Sequence, residues 1–405
     1  MTAVVVIGAG AAGTMAAIFA ARAGARVTLL ERTKDGGRKI LISGGGRCNV
    51  LPSRVDEGRF VTNSSPNVLR RIIRSWPLAE QIRFFEDDLG IPLQHEEESL
   101  KLFPVSQKAR DVRDGLIACA VGAGVDLVTE INVTDVVPAD GRWRVDCEDG
   151  RTFAADAVIV ATGGLSVPNT GSDGRGLAIL RKLGHTIHPT FAALTPMTVE
   201  PNAFTELAGV SLPVTITAKA GDESAKAAGG FLFTHRGYSG PSVLNVSHIA
   251  VRSRGRTTER ATLSVKWTAL DDDAWRERLA PHGARTVSGA VRAELPERLA
   301  AVLIARAAVD PLRPLSELRR DERVRLIDIL VRGELPWAGD EGYKKAEVTG
   351  GGVSLAEIDH RSMESRRQPG LYLCGEVLDA FGPIGGYIFL WAWCTGRAAG
   401  IGAAR

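Results

Sequence analysis

Residues 4–31 constrain this chain more than any other stretch. Residues 4–7 (VVVI) are a β-branched run of the kind that forms a buried parallel strand. They enter Gly8-Ala9-Gly10-Ala11-Ala12-Gly13, and the Ala-rich residues 14–23 predict a helix ended by Gly24. Residues 26–30 predict a second strand, which delivers Glu31 at its carboxyl end. Strand, glycines, helix, strand and acid, in that order, are a βαβ unit that binds a dinucleotide. Gly8 makes the tight turn, Gly10 lets the backbone approach a pyrophosphate, and Gly13 lets the helix pack on the strand. The free N–H groups and positive end of the helix then hold phosphate charge. Glu31 lies where a carboxylate reaches the ribose hydroxyls of an adenosine, with Arg32 beside it.

The rest of the chain says which dinucleotide. Gly36-Gly37-Arg38, soon after the acid, resembles the second glycine cluster of FAD enzymes of the glutathione-reductase class, and Gly37, Arg38 and the adjoining Lys39 are expected to bind the cofactor. Residues 157–164 (AVIVATGG), with Ala161, Thr162, Gly163 and Gly164 in the turn, resemble their strand-then-ATG segment. Residues 372–379 (YLCGEVLD), carrying Gly375, Glu376 and Asp379, resemble their C-terminal FAD motif, in which the aspartate reaches the ribityl or pyrophosphate region. Gly385 and Gly386 open a helix at Tyr387. A helix start aimed at the flavin N1–C2=O edge would favour negative charge there, by roughly 0.3–1 kcal/mol.

With 405 residues, 44% apolar and 24% charged, the chain is globular and large enough for two or three domains. Residues 190–267 alternate β-rich segments with turns, whereas residues 271–332 read as amphipathic helices broken by prolines. The expected fold class is α/β: a discontinuous Rossmann-like FAD-binding domain (1–189 and 341–405) with an inserted β-barrel-like domain (190–270) and a small helical domain (271–340). No second complete fingerprint is present, so NAD(P)H is expected to dock transiently over the flavin.

Five cysteines, at 48, 119, 147, 374 and 394, form no CxxC pair and no metal-ligand spacing with the seven histidines. A redox disulfide is thereby excluded, and no metal is expected. Residues 3–21 carry no charge, but their glycines and the missing basic flank argue against a membrane span or a leader. A cytoplasmic protein with no membrane partner is expected. The net charge of +3 is modest, and only residues 251–260 and 318–325 approach a basic cluster.

Residues 37–49 (GRKILISGGGRCN), 103–112 (FPVSQKARDV), 233–241 (FTHRGYSGP) and 346–359 (AEVTGGGVSLAEID) closely resemble the BaiN-like or aminoacetone-oxidase-like flavoproteins, almost end to end. The resemblance implies FAD, a two-part insert, and a flavin-lining loop at Ser43, Gly44, Gly45, Gly46, Arg47, Cys48 and Asn49. Arg47 is there to neutralise phosphate or to brace the loop. Cys48 is either a thiol acid beside the flavin or a small packing residue. His235 is the general-acid candidate or a structural histidine, with Ser239 on the same loop to orient it. The sequence departs from the family's GGYN at Ile388, which follows Gly385-Gly386-Tyr387, and at Phe381, where many members are polar.

The resemblance implies NAD(P)H-driven hydride transfer from flavin N5 to a C=C bond conjugated to a carbonyl. The apolar departures point to a small apolar substrate. The alternatives are a uridine of ribosomal RNA as substrate, a small-amine oxidase passing electrons to oxygen, and a flavin-binding sensor without turnover.

Overall fold

The computed structural model describes residues 1–199, 204–254 and 260–405. It divides into two compact units, Met1–Ala192 with Glu347–Arg405, and Ala193–Ala346.

The first unit is built on a five-stranded parallel sheet. Its order is Leu371–Leu373, Ala157–Val160, Ala3–Ile7, Arg26–Leu30 and Asp126–Val128. The central strand, Ala3–Ile7, is buried along its whole length, as its unbroken apolar run requires. The first helix, Ala11–Arg22, begins three residues before the expected start at Thr14. Helix geometry is thus already in place inside the glycine fingerprint. The last helix, Tyr387–Ala403, starts where its glycines place it and packs against the first. Gly396 and Gly400 make that contact possible, because a Cβ on either would lie 2.4 or 2.3 Å from a carbonyl oxygen of the first helix. The last strand of this sheet comes from the far end of the sequence, so the nucleotide-binding unit is discontinuous.

The second unit holds a seven-stranded sheet. Its order is Gly333–Glu334, Thr262–Lys266, Ser211–Ala220, Glu223–Thr234, Gly237–Ser239, Met197–Thr198 and Gly339–Asp340. A flat sheet of seven strands would separate its edges by about 29 Å, at about 4.8 Å per strand. Only the four residues 335–338 join those edges, and they span at most about 18 Å. The sheet therefore curls on itself, barrel-fashion.

Two differences from expectation appear here. Pro241–Ser253, inside the stretch read as β, is a helix, with Pro241 at its first position where the missing N–H costs nothing. The β and helical segments separated at residue 270 share one core, in which Phe231, Trp267, Trp275, Leu303 and Leu326 are buried together. Of the basic run 251–260, residues 255–259 lie outside the described residues. In the other run, Arg319 and Arg325 pair with Glu322 and Asp321. No described helix is long and apolar enough to cross a membrane.

Candidate functional site

At the carboxyl ends of the parallel strands, the first unit opens into a cleft of about 1230 Å³. The glycine fingerprint forms its floor. Gly8 has φ +102°, and a Cβ there would lie 2.7 Å from the Ala161 carbonyl oxygen. At Gly13 it would lie 1.8 Å from the Gly8 oxygen, so the first helix rests on the turn as the fingerprint requires. Gly10 is different: a Cβ would meet nothing within 4 Å. Gly10 borders the cleft, so this open space faces the N–H groups at the start of the first helix, the part of such a fold that takes a pyrophosphate.

Glu31 is buried and held. Its carboxylate accepts from the Ala9 N–H at 2.8 Å and from the Thr33 N–H and hydroxyl at 2.8 and 2.7 Å. It still borders the cleft, beside Arg32, whose guanidinium pairs with Asp173 at 2.5 Å. Gly37, Arg38 and Lys39 also line the cleft, as do Ala11, Ala12, Ala161, Thr162 and Gly163.

Lys39 donates to Glu376 and to Ser166, both at 2.6 Å. The other Glu376 oxygen accepts from the Ser166 hydroxyl at 2.5 Å and the Thr349 N–H at 3.0 Å. Burial pushes the Glu376 carboxyl up, but the Lys39 charge and these hydrogen bonds outweigh it and leave the group below its ordinary range. The result is a paired carboxylate and ammonium on the cleft wall. Gly375, with φ +77°, sets the turn that presents Glu376, and the last helix fixes it through Thr395 and Trp391. Gly164 packs behind the wall, where a Cβ would lie 2.4 Å from the Thr349 hydroxyl.

Several expected residues stand elsewhere. Asp379, expected at the ribityl or pyrophosphate region, is 1% exposed and does not line the cleft. Its carboxylate accepts from the Asn63 N–H and amide and from the Ser64 hydroxyl, each at 2.9 Å. The acid of that motif that does reach the cleft is Glu376. The Ser43–Gly46 turn and Arg47 also lie off the cleft lining. Arg47 pairs with Glu96 at 3.0 Å and stacks 4.1 Å over Phe103, which braces the loop. Cys48 is fully buried, and burial pushes its thiol up to about 12, so it packs as an apolar residue and holds its proton.

Asn49, with its amide turned to suit its neighbours, accepts from the Gly386 N–H at 2.9 Å and donates to Leu51 at 3.2 Å. It thus fastens the loop to the start of the last helix. A Cβ on Gly386 would lie 2.3 Å from the Leu51 backbone, so Gly386 serves this docking, while Gly385 supplies the φ of +121° that the turn requires. Tyr387 turns away and donates to the Arg54 carbonyl at 3.1 Å. Ile388 does line the cleft, beside Phe389, Trp391 and Phe381.

His235 and Ser239 belong to the second unit. His235 is exposed in the turn after Glu223–Thr234, and Ser239 ends the short strand that follows. The cleft also has a wall that the fingerprints do not name, at Asn132, Thr170, Ser172, Asp173 and Arg175. The polar, Gly-rich run NTGSDGRG at 169–176 was the available signal. Among the described residues no group of His, Cys, Asp and Glu could hold a metal, and the five cysteines are free.

Helix N–H groups over an open glycine and an acid at the second strand's end fit the pyrophosphate and the adenosine ribose of FAD. Together they define an oxidoreductase of the FAD-binding Rossmann class. The chain belongs to the HI0933-like protein Rossmann domain family, which it matches over residues 2–402. It is 33% identical over 399 residues to the ribosomal RNA dihydrouridine synthase of Escherichia coli (strain K12), covering 97% of this chain and 96% of that one. It is 31% identical to the 3-dehydro-bile acid delta(4,6)-reductase of Clostridium scindens, over 99% of this chain and 98% of the other. The solved 3-ketosteroid delta1-dehydrogenase of Sterolibacterium denitrificans shares the fold, with a TM-score of 0.54, 12% identity and full coverage of both chains.

Proposed function

We propose that this protein reduces a C=C bond conjugated to a carbonyl, with NAD(P)H as the electron source and a small apolar molecule as substrate. One observation carries the reading. The two relatives, each matched end to end, have names that both describe adding two hydrogens across a C=C bond. Such a reduction places a hydride on the β-carbon and a proton on the α-carbon.

Bound FAD would supply a two-electron store between nicotinamide and substrate. The chain's residues do the rest. The first helix's N–H groups and the space at Gly10 would take the pyrophosphate, and Glu31 the ribose hydroxyls. The Lys39–Glu376 pair would fix charge and hydrogen bonds at the cofactor's middle. Phe381, Ile388, Phe389 and Trp391 give the cleft an apolar stretch of lining, which supports an apolar substrate. His235 is our candidate for the proton on the α-carbon, and Ser239 for the hydroxyl that orients it.

A second substrate, a uridine in ribosomal RNA, is favoured by a separate observation, the end-to-end match to the ribosomal RNA dihydrouridine synthase of Escherichia coli.

The test is anaerobic mixing with the flavin absorbance followed. NADH or NADPH should bleach the purified yellow protein, and a conjugated enone should restore its colour. Bleaching by a primary amine with no response to either nicotinamide would favour the oxidase. Flavin that nothing touches would favour the sensor.

A further inference from the structure

The last helix has a second use. Its C-terminal half borders another concavity of the first unit, of about 970 Å³, lined by Arg71, Arg74, His360, Arg361, Arg397 and Arg405. No aspartate or glutamate is among the lining residues. The whole chain has 50 Lys and Arg against 47 Asp and Glu, so this concentration is local and is no reflection of overall composition.

Two of the arginines are held. Arg74 bonds Glu57 at 2.7 and 2.8 Å, and Arg397 lies over Trp76 and Phe19 at 5.3 and 5.5 Å. Asp359, just outside, accepts from the Arg361 backbone N–H at 2.8 Å. The side chains of Arg71, Arg361 and Arg405 form no ion pair among the described residues. Like charges gathered in a concave space repel one another, and a multivalent anion relieves that repulsion. Guanidinium groups meet phosphate oxygens two at a time, which lysines cannot do.

We propose that this groove binds the phosphate backbone of RNA, an inference that rests on the uridine reading of the substrate. The placement says which part of the RNA. Ala392 lines the cofactor cleft and Arg397 the groove, five residues apart on one helix. That is about 7.5 Å of rise and roughly 140° around the axis, so the two openings lie on different sides of the helix. The groove holds phosphates flanking the reacting nucleotide and contributes position, not base recognition. A membrane surface fits less well, since none of the large exposed apolar side chains lines the groove and lipid surfaces are held partly by such groups.

The experiment uses the FAD-loaded full chain and a fluorescein-labelled ribosomal RNA transcript, with anisotropy read at about 50 and about 200 mM salt. Arg71→Ala with Arg361→Ala should weaken binding at least tenfold at low salt and lower the salt slope by about 2. Flavin content and reduction by nicotinamide should stay as in the parent. Arg71→Lys with Arg361→Lys should keep the parent's salt slope, because the charge remains, but only part of its affinity, because the paired contacts are lost.

Unchanged affinity and slope in the alanine variant would overturn the proposal. So would a parent protein that binds anionic phosphatidylserine vesicles, or polyglutamate, in preference to the transcript. Reoxidation of the reduced flavin by the transcript separates the two readings. RNA binding that is lost with the arginines, without any reoxidation, leaves the groove standing and removes uridine as substrate. Reoxidation by a variant that binds as tightly as the parent removes the groove alone.

Discussion

Gly10 is the residue at which structure and cofactor can be told apart. Its φ of −78° and ψ of −172° are open to any residue, and a methyl group there meets no protein atom within 4 Å. Gly10→Ala should therefore fold, at a cost of roughly 1 kcal/mol or less as a helix N-cap change, yet bind FAD at least tenfold more weakly. Gly13→Ala should instead destabilise the apoprotein, because its methyl collides with the Gly8 oxygen. Thermal melts of the apoproteins and flavin titrations separate the two, and a Gly10→Ala protein that holds FAD like the parent would move the pyrophosphate elsewhere. Glu31→Ala leaves the buried Ala9 N–H without its acceptor. It should weaken FAD retention by roughly ten- to a hundredfold, at about 1.5–3 kcal/mol for hydrogen bonds to a charged group. The turn at Gly8, the close packing at Gly13 and the place of Glu31 at the strand's end were legible in the sequence because they are local, set within one turn and the strand beside it. The choice of Glu376 over Asp379 was not. It depends on Thr62, Asn63 and Ser64, more than 300 positions away, which claim the aspartate.

At the scale of elements, patterns with a single physical cause were readable. The strand Arg26–Leu30 and the helix start at Tyr387 fall where β-branching and paired glycines put them. The helix Pro241–Ser253 was hidden, because its Gly-Pro entry also reads as a turn and its apolar face is understood only against the hairpin it covers. That helix carries His248, which burial, the main cause, pushes down to about 4. His185, on the first unit, is likewise lowered, chiefly by burial and in spite of Glu357 at 2.9 Å. A depressed histidine pKa means the unfolded chain takes up protons first. The stability it contributes is complete above about pH 6.5 and is lost as pH falls towards 4. For His248 the loss is on the order of 3 kcal/mol. Urea unfolding of the parent, followed by tryptophan fluorescence, should weaken between pH 7 and pH 4, and His248→Leu should flatten that slope. Glu357, which its hydrogen bonds from Arg367, Thr186 and His185 hold at about 2 against the upward push of burial, keeps its contribution until pH falls below about 4.5.

For the whole molecule, the informative feature is where the chain leaves the nucleotide-binding unit and returns. It departs along Ile187–Ala193 and comes back along Val348–Val353, and these two strands pair with each other. The ends at residues 192 and 347 are thus held close by the first unit's own backbone, so residues 193–346 are an insertion whose removal need not break the parent fold. Composition showed the change of texture near residue 190. It could not show that the β and helical halves complete one another, since neither face is apolar enough to read as half of a shared core. Each unit buries its own aromatic and aliphatic cluster, the second around Phe231, Trp267 and Trp275. Residues 193–346 expressed alone should therefore give a cooperative thermal transition and bind no flavin. The complementary chain, with residues 193–346 replaced by a short Gly/Ser linker, should bind FAD through Gly8, Gly10 and Glu31 yet fail to reduce an enone, because the proposed proton donor His235 and its proposed partner Ser239 have gone with the insert. Flavin absorbance after gel filtration, with calorimetry of each piece, checks both halves. A linker chain that folds but takes up no FAD would mean that the insert itself supplies contacts to the cofactor.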